Sequence, residues 1–328
     1  MKLVGLCRRL FRSLLRILAT VAIFLLGVWF VLAQPSCRRN PPSRLHVDPD
    51  RLRAHVEKLA GNFRPRDFQH PDQLARCADY IASQFRQAGA TVERQPFIVA
   101  GRPYCNVIAR FGQPDRPRVV VGAHYDSCGD MPAADDNASG IAALLELAFL
   151  LGRHPPARPV ELVAYSLEEP PTYQTDSMGS AVHARSIAND TANIHGVIVL
   201  EMVGTFSDAW SSQAYPIPLL HLIYPNRGNF IGVIGRWNDG DWIQAVKDGM
   251  KGRTPLPVRS IRAPACVPGI EMSDHQNYWP LGLPAVMVTD TAFLRNPNYH
   301  SIHDTPDRLD YPAMGQVVVS LCEALQTF

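Results

Sequence analysis

Residues 118–151, RVVVGAHYDSCGDMPAADDNASGIAALLELAFLL, hold the pattern that decides the fold. The β-branched run at 118–123 predicts a buried strand, and the apolar stretch at 139–151 predicts a packed helix. Between them lie a histidine, several acids and a loop of small residues. Because a strand, a loop and a helix in this order form the repeating unit of α/β proteins, we expect the same alternation along the rest of the chain.

The alternation continues on both sides of this stretch. Further helices are predicted at 70–88, 178–188 and 311–326, and further strands at 106–111, 160–165, 196–200 and 285–289. Strands that are apolar on both faces need helices on both faces. The sequence therefore predicts an α/β fold, a three-layer α/β/α sandwich with a mixed, largely parallel central sheet.

One stretch, 205–241, departs from this alternation. It is rich in Trp, Tyr and Phe, which are interleaved with Pro, Gly and Ser. Two interpretations stay open at this point. The stretch is either a long packed loop or the wall of a substrate pocket.

The charge of the chain is nearly balanced, with 32 basic and 30 acidic residues, but it is unevenly distributed. Residues 1–40 contain seven basic residues and no acid, which leaves 25 basic against 30 acidic residues in the body. A body of net negative charge lacks the electrostatic footprint of a nucleic-acid-binding protein. We therefore expect no nucleic-acid partner.

Residues 17–33 form an apolar run that follows five basic residues and contains Thr20 as its one clearly polar residue. This is close to the shortest length that spans a bilayer, and the upstream cations favour a cytoplasmic N-terminus. We predict a basic cytoplasmic segment at 1–16, a transmembrane signal anchor at 17–33, a linker at 34–45 and an extracytoplasmic body at 46–328, in the periplasm or outside the cell. The small residues that end the run leave a cleaved signal peptide, and hence a secreted protein, as the alternative.

Histidines and acids follow the predicted strands. They include His124 and Asp126, then Asp135 and Asp136, then Glu168 and Glu169, then Glu201, and finally His300 and His303. Each one alone has an ordinary structural explanation, such as a helix cap or a solvated loop. Ionisable groups at the ends of several apolar strands are nevertheless costly unless they are paired or bind a metal. Imidazoles together with carboxylates indicate a divalent metal site.

The ordered set of motifs resembles the co-catalytic zinc aminopeptidases, metallopeptidase family twenty-eight. The motifs are H-x-D at 124–126, A-D-D-N-A-S-G at 134–140, E-E at 168–169, L-E-M-V-G at 200–204, S-D-H at 273–275 and Y-H-x-x-x-D-T at 299–305. The resemblance implies two zinc ions per chain, bridged by Asp136. His124 and Glu201 would complete one site, and Glu169 and His300 the other. It also implies a cis peptide bond after the bridging acid.

The same resemblance implies how the reaction proceeds. Glu168 would be the general base for a zinc-activated water, and Tyr299 would donate a hydrogen bond to the developing oxyanion. Asp126 would orient the imidazole of His124. The expected activity is a membrane-anchored metallo-aminopeptidase that hydrolyses the first bond of peptides with a free N-terminus.

Five positions need a separate interpretation. Glu201 stands where the family more often has Asp, so its longer side chain predicts altered geometry or metal preference at that site. His303 competes with His300 as a ligand, and the family pattern assigns His303 to a solvated loop. We interpret Cys128 as a small buried residue and the acid and histidine of 273–275 as parts of the pocket wall.

Three alternatives stay open on the same scaffold. A glutaminyl cyclase would use a single zinc ion. A carboxypeptidase would need a basic pocket, for which Arg227, Arg236 and Arg295 are candidates. A non-catalytic, receptor-like module would resemble the family with ligands lost, and none is lost here.

Overall fold

The computed structural model describes residues 2–328, with side chains from Leu10 onward. Seven α-helices lie within this range: α1 Lys2–Ala33, α2 Pro49–Glu57, α3 Pro71–Gln87, α4 Gly140–Arg153, α5 Gly179–Ser186, α6 Gly240–Met250 and α7 Tyr311–Leu325. The described strands are β1 Thr91–Val99, β2 Arg102–Phe111, β3 Arg118–His124, β4 Val160–Tyr165, β5 Ile194–Glu201, β6 Ile231–Arg236, β7 Val258–Ala263 and β8 Ala285–Thr289.

The eight strands form one sheet in the order β1-β2-β4-β3-β5-β8-β6-β7. Its four central strands, β4, β3, β5 and β8, run parallel to one another. Antiparallel pairs join β1 to β2, β2 to β4 and β6 to β8. The predicted mixed, largely parallel sheet is therefore confirmed.

Alternate residues of the central strands pack into two separate cores. Val119 and Val121 of β3 belong to the larger core, which also contains residues of α2, α3, α4, α6 and α7. Val120, between them, belongs to a smaller core with residues of α5. Since successive side chains of a strand point to opposite faces, helices cover both faces of the sheet. This is the predicted three-layer sandwich.

The predicted helices and strands of the body are all present. Each predicted helix of the body begins and ends within two residues of the observed helix. The prediction missed α2, β1, β6, α6 and β7. In β6, Gly232 and Gly235 interrupt the β-branched pattern. For this reason the sequence did not indicate a strand at 231–236 within the aromatic stretch. A side chain at Gly235 would approach Ile243 to 3.0 Å and Val286 to 3.2 Å, so close packing requires glycine there.

Helix α1 contains one apolar segment, Leu10–Ala33, that is long enough to cross a membrane, and none of that segment is buried. The residues that follow it are not a free spacer. The side chain of Asn40 donates to the carbonyl oxygens of Asp248 at 2.6 Å and Lys251 at 2.9 Å. The backbone of Ser43 donates to Arg253 at 2.8 Å. The predicted linker therefore lies against the body at the end of α6.

Strand β4 carries a fully buried acid, Glu161, near its N-terminal end and away from the carboxyl ends of the parallel strands. Its carboxylate contacts Arg110 at 2.7 Å, Arg118 at 3.3 Å and the Nε2 of His183 at 3.2 Å. Burial alone would raise the pKa of Glu161, but His183 and the two arginines outweigh it and lower the pKa to about 2. Because the folded pKa lies below the ordinary 4.5, the stabilisation is present above pH 4.5 and is lost as the pH falls towards 2.

We predict that Glu161→Gln lowers the free energy of unfolding at pH 7 by about 3 kcal/mol, because the amide cannot replace the buried carboxylate that contacts two arginines and His183. The difference from wild type should shrink as the pH falls from 7 to 3. Chemical unfolding followed by tryptophan fluorescence measures both. The matched control is Glu93→Gln, an exposed acid that contacts the same Arg110 at 2.6 Å and should contribute about 0–1 kcal/mol. Equal stability of the two variants would contradict this account of Glu161.

Candidate metal centre and active site

The ends of the parallel strands bring the predicted site residues together. His124 is the last residue of β3, and Glu201 is the last residue of β5. Glu168 and Glu169 follow β4, and His300 lies in the loop after β8. Since the carboxyl ends of parallel strands meet at one edge of the sheet, these side chains converge.

The first donor set consists of His124, Asp136 and Glu201, all of which are buried. The Nε2 of His124 lies 3.3 Å from Oδ1 of Asp136 and 3.4 Å from Oε2 of Glu201. These separations are longer than good hydrogen bonds and short enough for the three atoms to share one cation. The longer side chain of Glu201 therefore reaches the same point as the other two donors.

The second donor set lies on the other oxygen of Asp136. The Nε2 of His300 is 3.1 Å from Oδ2 of Asp136 and 3.2 Å from Oε2 of Glu169. The thiol of Cys128 also lies close to donor atoms of Glu169 and His300. Cys128 is half-buried and borders this donor set, a position that its interpretation as a small buried residue did not include. Asp136 thus lies between two donor sets and offers one oxygen to each.

The loop that carries Asp136 is held by its own motif and by the Y-H-x-x-x-D-T motif. The backbone N–H groups of Asp135 and Asp136 donate to the carboxylate of Asp304 at 3.1 Å. The side chain of Asn137 donates to the carbonyl of Leu200 at 2.8 Å and accepts from the backbone of Met202 at 3.1 Å. The peptide bond between Asp136 and Asn137 is cis, as the resemblance implied.

Asp126 lies behind both donor sets. One of its oxygens is 3.4 Å from Nδ1 of His124. The same carboxylate accepts hydrogen bonds from the backbone N–H groups of Glu168 and Glu169, each at 3.0 Å. A single buried acid thus contacts the imidazole of one donor set and positions the backbone of the two glutamates.

Two supporting residues were not found from the sequence. The hydroxyl of Ser273 donates to Oε2 of Glu201 at 2.7 Å. The guanidinium of Arg66 is fully buried and donates to the carbonyls of Leu59, Tyr125, Pro132 and Ala133, so it joins the loops on either side of the site. Ser273 belongs to the S-D-H motif, so the sequence contained a pattern that could have identified it as a supporting residue. Arg66 has no local pattern that marks it.

The electrostatics of the site fit divalent cations. Four buried carboxylates, those of Asp136, Glu168, Glu169 and Glu201, surround the two imidazoles. No hydrogen bond from any described residue reaches either ring nitrogen of His124, the Nε2 of His300 or Oε1 of Glu169. Buried polar atoms of this kind are rarely left unsatisfied. Imidazole and carboxylate donors without partners are the ligands expected for zinc.

The pKa values reflect the same crowding of charge. Burial raises the pKa of Glu168, and the neighbouring carboxylates of Glu169 and Glu201 raise it further. Burial and the charge of Asp136 raise the pKa of Glu169 to about 7. Burial opposes ionisation of Asp136 as well, but the imidazoles of His124 and His300 outweigh it and lower the pKa of this carboxyl. Asp136 is therefore the acid of the cluster that stays ionised most readily.

Two cavities open from the site. The smaller, of about 510 Å³, is lined by the donors Asp136, Glu169, Glu201 and His300 together with Glu168, Tyr173 and Tyr299, and no Lys or Arg lines it. The larger, of about 780 Å³, is mainly apolar and shares Glu201, Met272 and Phe293 with the smaller one. Tyr215, Leu220, Tyr224 and Phe230 line the larger cavity. The part of the aromatic stretch before β6 is therefore a pocket wall.

The other residues singled out from the sequence line neither cavity. His303 is exposed, whereas Asp274 and His275 are fully buried next to the site. Arg236 contacts Asp239, and Arg295 donates to Gln213 and to the carbonyl of Phe230. None of the three arginines proposed for a carboxylate pocket lines either cavity.

Several known proteins are similar to this chain in sequence. The sequence model of Peptidase family M28 matches residues 106–324. The protein YfbL of Escherichia coli is 43% identical over 304 residues, which cover 90% of this chain and 93% of that one. A probable zinc metalloprotease of Pyricularia oryzae is 32% identical over 48% of this chain, and the match spans only 36% of its own length.

Solved structures share the fold. The aminopeptidase LapA of Legionella pneumophila superposes with a TM-score of 0.67 at 20% identity, covering 86% of this chain and 72% of LapA. A glutaminyl cyclase of Bacteroides thetaiotaomicron superposes with a TM-score of 0.65 at 19% identity, covering 88% of this chain and 100% of the cyclase. At these identities the similarity establishes the fold alone.

We predict that Ser273→Ala weakens zinc affinity by about 10- to 100-fold while the protein stays folded, because Glu201 loses the hydrogen bond that orients it. Competition with a chelator of known affinity measures this change. The control is Ser320→Ala, which removes an equally buried hydroxyl that bonds only to the carbonyl of Val317 within α7. If both variants bound zinc as tightly as wild type, the positioning role of Ser273 would be refuted.

Proposed function

This chain belongs to Peptidase family M28, a family of zinc metallopeptidases, and from that premise we propose that it is a membrane-anchored aminopeptidase with two zinc ions. The observation that carries the proposal is Asp136, which offers one carboxylate oxygen to each of two complete donor sets. His124 and Glu201 would hold one ion, and Glu169 and His300 the other. When bound, zinc supplies Lewis acidity, which lowers the pKa of water and polarises a carbonyl group.

Glu168 is the proposed general base. It lines the smaller cavity, and its Oε2 lies 4.0 Å from Nε2 of His124 without belonging to either donor set. The hydrogen bond from its backbone to Asp126 fixes its position. Glu168 would take a proton from the attacking water and return it to the leaving amine.

Tyr299 is the proposed donor to the developing oxyanion. Its ring stacks on that of His300, with centroids 3.8 Å apart, and it lines the smaller cavity. Burial raises the pKa of Tyr299, and the charges of Asp136 and Glu169 raise it further. The phenol therefore stays protonated at neutral pH and is able to donate a hydrogen bond.

The lining of the two cavities supports a substrate with a free N-terminus. Carboxylates surround the smaller cavity, so a cationic ammonium group suits it better than a carboxylate would. The adjoining apolar cavity is large enough for a bulky first side chain. The acidic lining of the smaller cavity favours an aminopeptidase over the carboxypeptidase alternative.

Hydrogen bonds between the end of α1 and the body support an anchor that is not cleaved off. The carbonyl oxygen of Ala33, at the end of the apolar segment, accepts hydrogen bonds from the hydroxyl of Ser260 at 2.9 Å and from Nζ of Lys247 at 3.3 Å. The side chain of Gln34 donates to Gly240 at 2.8 Å. We propose that α1 spans the membrane with its N-terminus in the cytoplasm and that the body is exported.

We predict that Glu168→Gln lowers kcat by about 10²- to 10⁴-fold, because the amide cannot accept the proton of the attacking water. Zinc content, measured by elemental analysis of the purified protein, should stay at the wild-type level. The matched control is the neighbouring Glu169→Gln, which should lower zinc content as well as turnover. Unchanged turnover in Glu168→Gln would contradict its role as the base.

We also predict hydrolysis of aminoacyl fluorophores that requires a free amine. N-acetylated substrates should not be cleaved, a chelator should abolish turnover, and added zinc should restore it. Large apolar first residues should give the highest kcat/KM, because of the apolar cavity. Formation of pyroglutamate from an N-terminal glutamine peptide, without peptide hydrolysis, would instead favour the single-zinc glutaminyl cyclase.

A further inference from the structure

The turn 217–222 exposes three apolar side chains and leads to Tyr224, which bonds to the same residue as the end of α1. We call the side chains of Ile217, Leu219 and Leu222 the anchor-side patch. They are 44%, 56% and 72% exposed, respectively. Single exposed apolar residues are ordinary, but three within six residues are not. Leu220, between them, points the other way and lines the apolar cavity.

A short chain of hydrogen bonds ties this turn to the end of α1. Ser260 on β7 donates its hydroxyl to the carbonyl of Ala33 at 2.9 Å, and its own carbonyl accepts from the hydroxyl of Tyr224 at 2.7 Å. Tyr224 lies two residues after Leu222, a separation that spans at most about 7 Å. The turn and the end of the anchor are therefore held to the same residue of the edge strand.

The end of α1 also defines the level of the membrane surface. The apolar run stops at Ala33, and Gln34, Ser36, Arg38 and Arg39 follow. Groups bonded to Ala33 and Gln34 thus lie at the depth of the lipid headgroups.

Two residues near the end of α1, Trp237 and Arg262, are of types that are enriched at the interface between membrane and water. Trp237 is 43% exposed, and Arg262 of β7 lies 4.8 Å from the centre of its ring. The adjoining Gly240 accepts the hydrogen bond from Gln34. Tryptophan and arginine are typical of the boundary between membrane and water, where the ring is half-solvated and the cation faces phosphate.

From these contacts we infer that the anchor-side patch inserts into the headgroup region of the bilayer that α1 spans. The inference rests on the proposed anchor. The occupant is the lipid surface, because the seated end of α1 brings the bilayer to this side of the body. Since Leu220, Tyr224 and Ser260 also line the apolar cavity, that cavity borders the membrane surface. Peptides whose N-termini lie at the bilayer surface are therefore the favoured class of substrate.

The test uses the full chain in vesicles of phosphatidylethanolamine and phosphatidylglycerol. A photo-reactive diazirine amino acid replaces Leu222 in one variant and Ile98 in the control. Ile98 is 68% exposed and lies on β1, at the opposite edge of the sheet from β7 and about 30 Å away. Flotation of the vesicles reports the anchor, and mass spectrometry after illumination reports the groups that the probe contacts.

We expect both variants to float and to hydrolyse aminoacyl substrates like wild type, with lipid adducts about tenfold more abundant at 222 than at 98. Flotation with only water adducts at 222 would overturn the insertion and keep the anchor. Adducts to protein at 222 would also overturn it, in favour of a protein contact. Failure to float would overturn the anchor and the patch together, whereas turnover in the same sample tests the peptidase proposal separately.

Discussion

Four carboxylates that share one buried pocket are the constraint on which the rest of this structure depends. Asp136, Glu168, Glu169 and Glu201 could not all ionise there without cations, because desolvation and mutual repulsion both oppose their charge. Two imidazoles supply only part of the compensation. Two divalent ions on either side of Asp136 would supply the rest. Much of the surrounding structure keeps these acids close together despite their repulsion.

The supporting contacts show how that arrangement is maintained. Asp304 accepts from the backbone of Asp136, Asp126 accepts from the backbone of Glu168 and Glu169, and Ser273 donates to Glu201. Arg66 joins the loops behind them through backbone carbonyls alone. Its buried charge adds a favourable field without contacting a carboxylate directly. Each of the three acidic donors therefore has its own supporting contact, and the sheet brings them to a common edge.

The sequence predicted this edge well because the signal is local. A strand that ends in His124 and a loop that contains Asp136 are recognisable without any tertiary information, and the proposed ligand sets came from the family resemblance that the order of the motifs carries. Contacts between distant segments were not predictable. The glycines of β6 concealed a strand, and one of them, Gly235, leaves space for Ile243 and Val286. The polar helix α2 and the docking of residues 34–45 on α6 likewise depend on partners far along the chain.

The central claim is that Asp136 bridges two metal ions, and anomalous diffraction at the zinc edge from crystals grown with zinc tests it most directly. The account predicts two anomalous peaks, one on each side of the Asp136 carboxylate. One should contact His124 and Glu201, and the other Glu169 and His300. A single peak at full zinc occupancy, or peaks that do not contact Asp136, would contradict the claim.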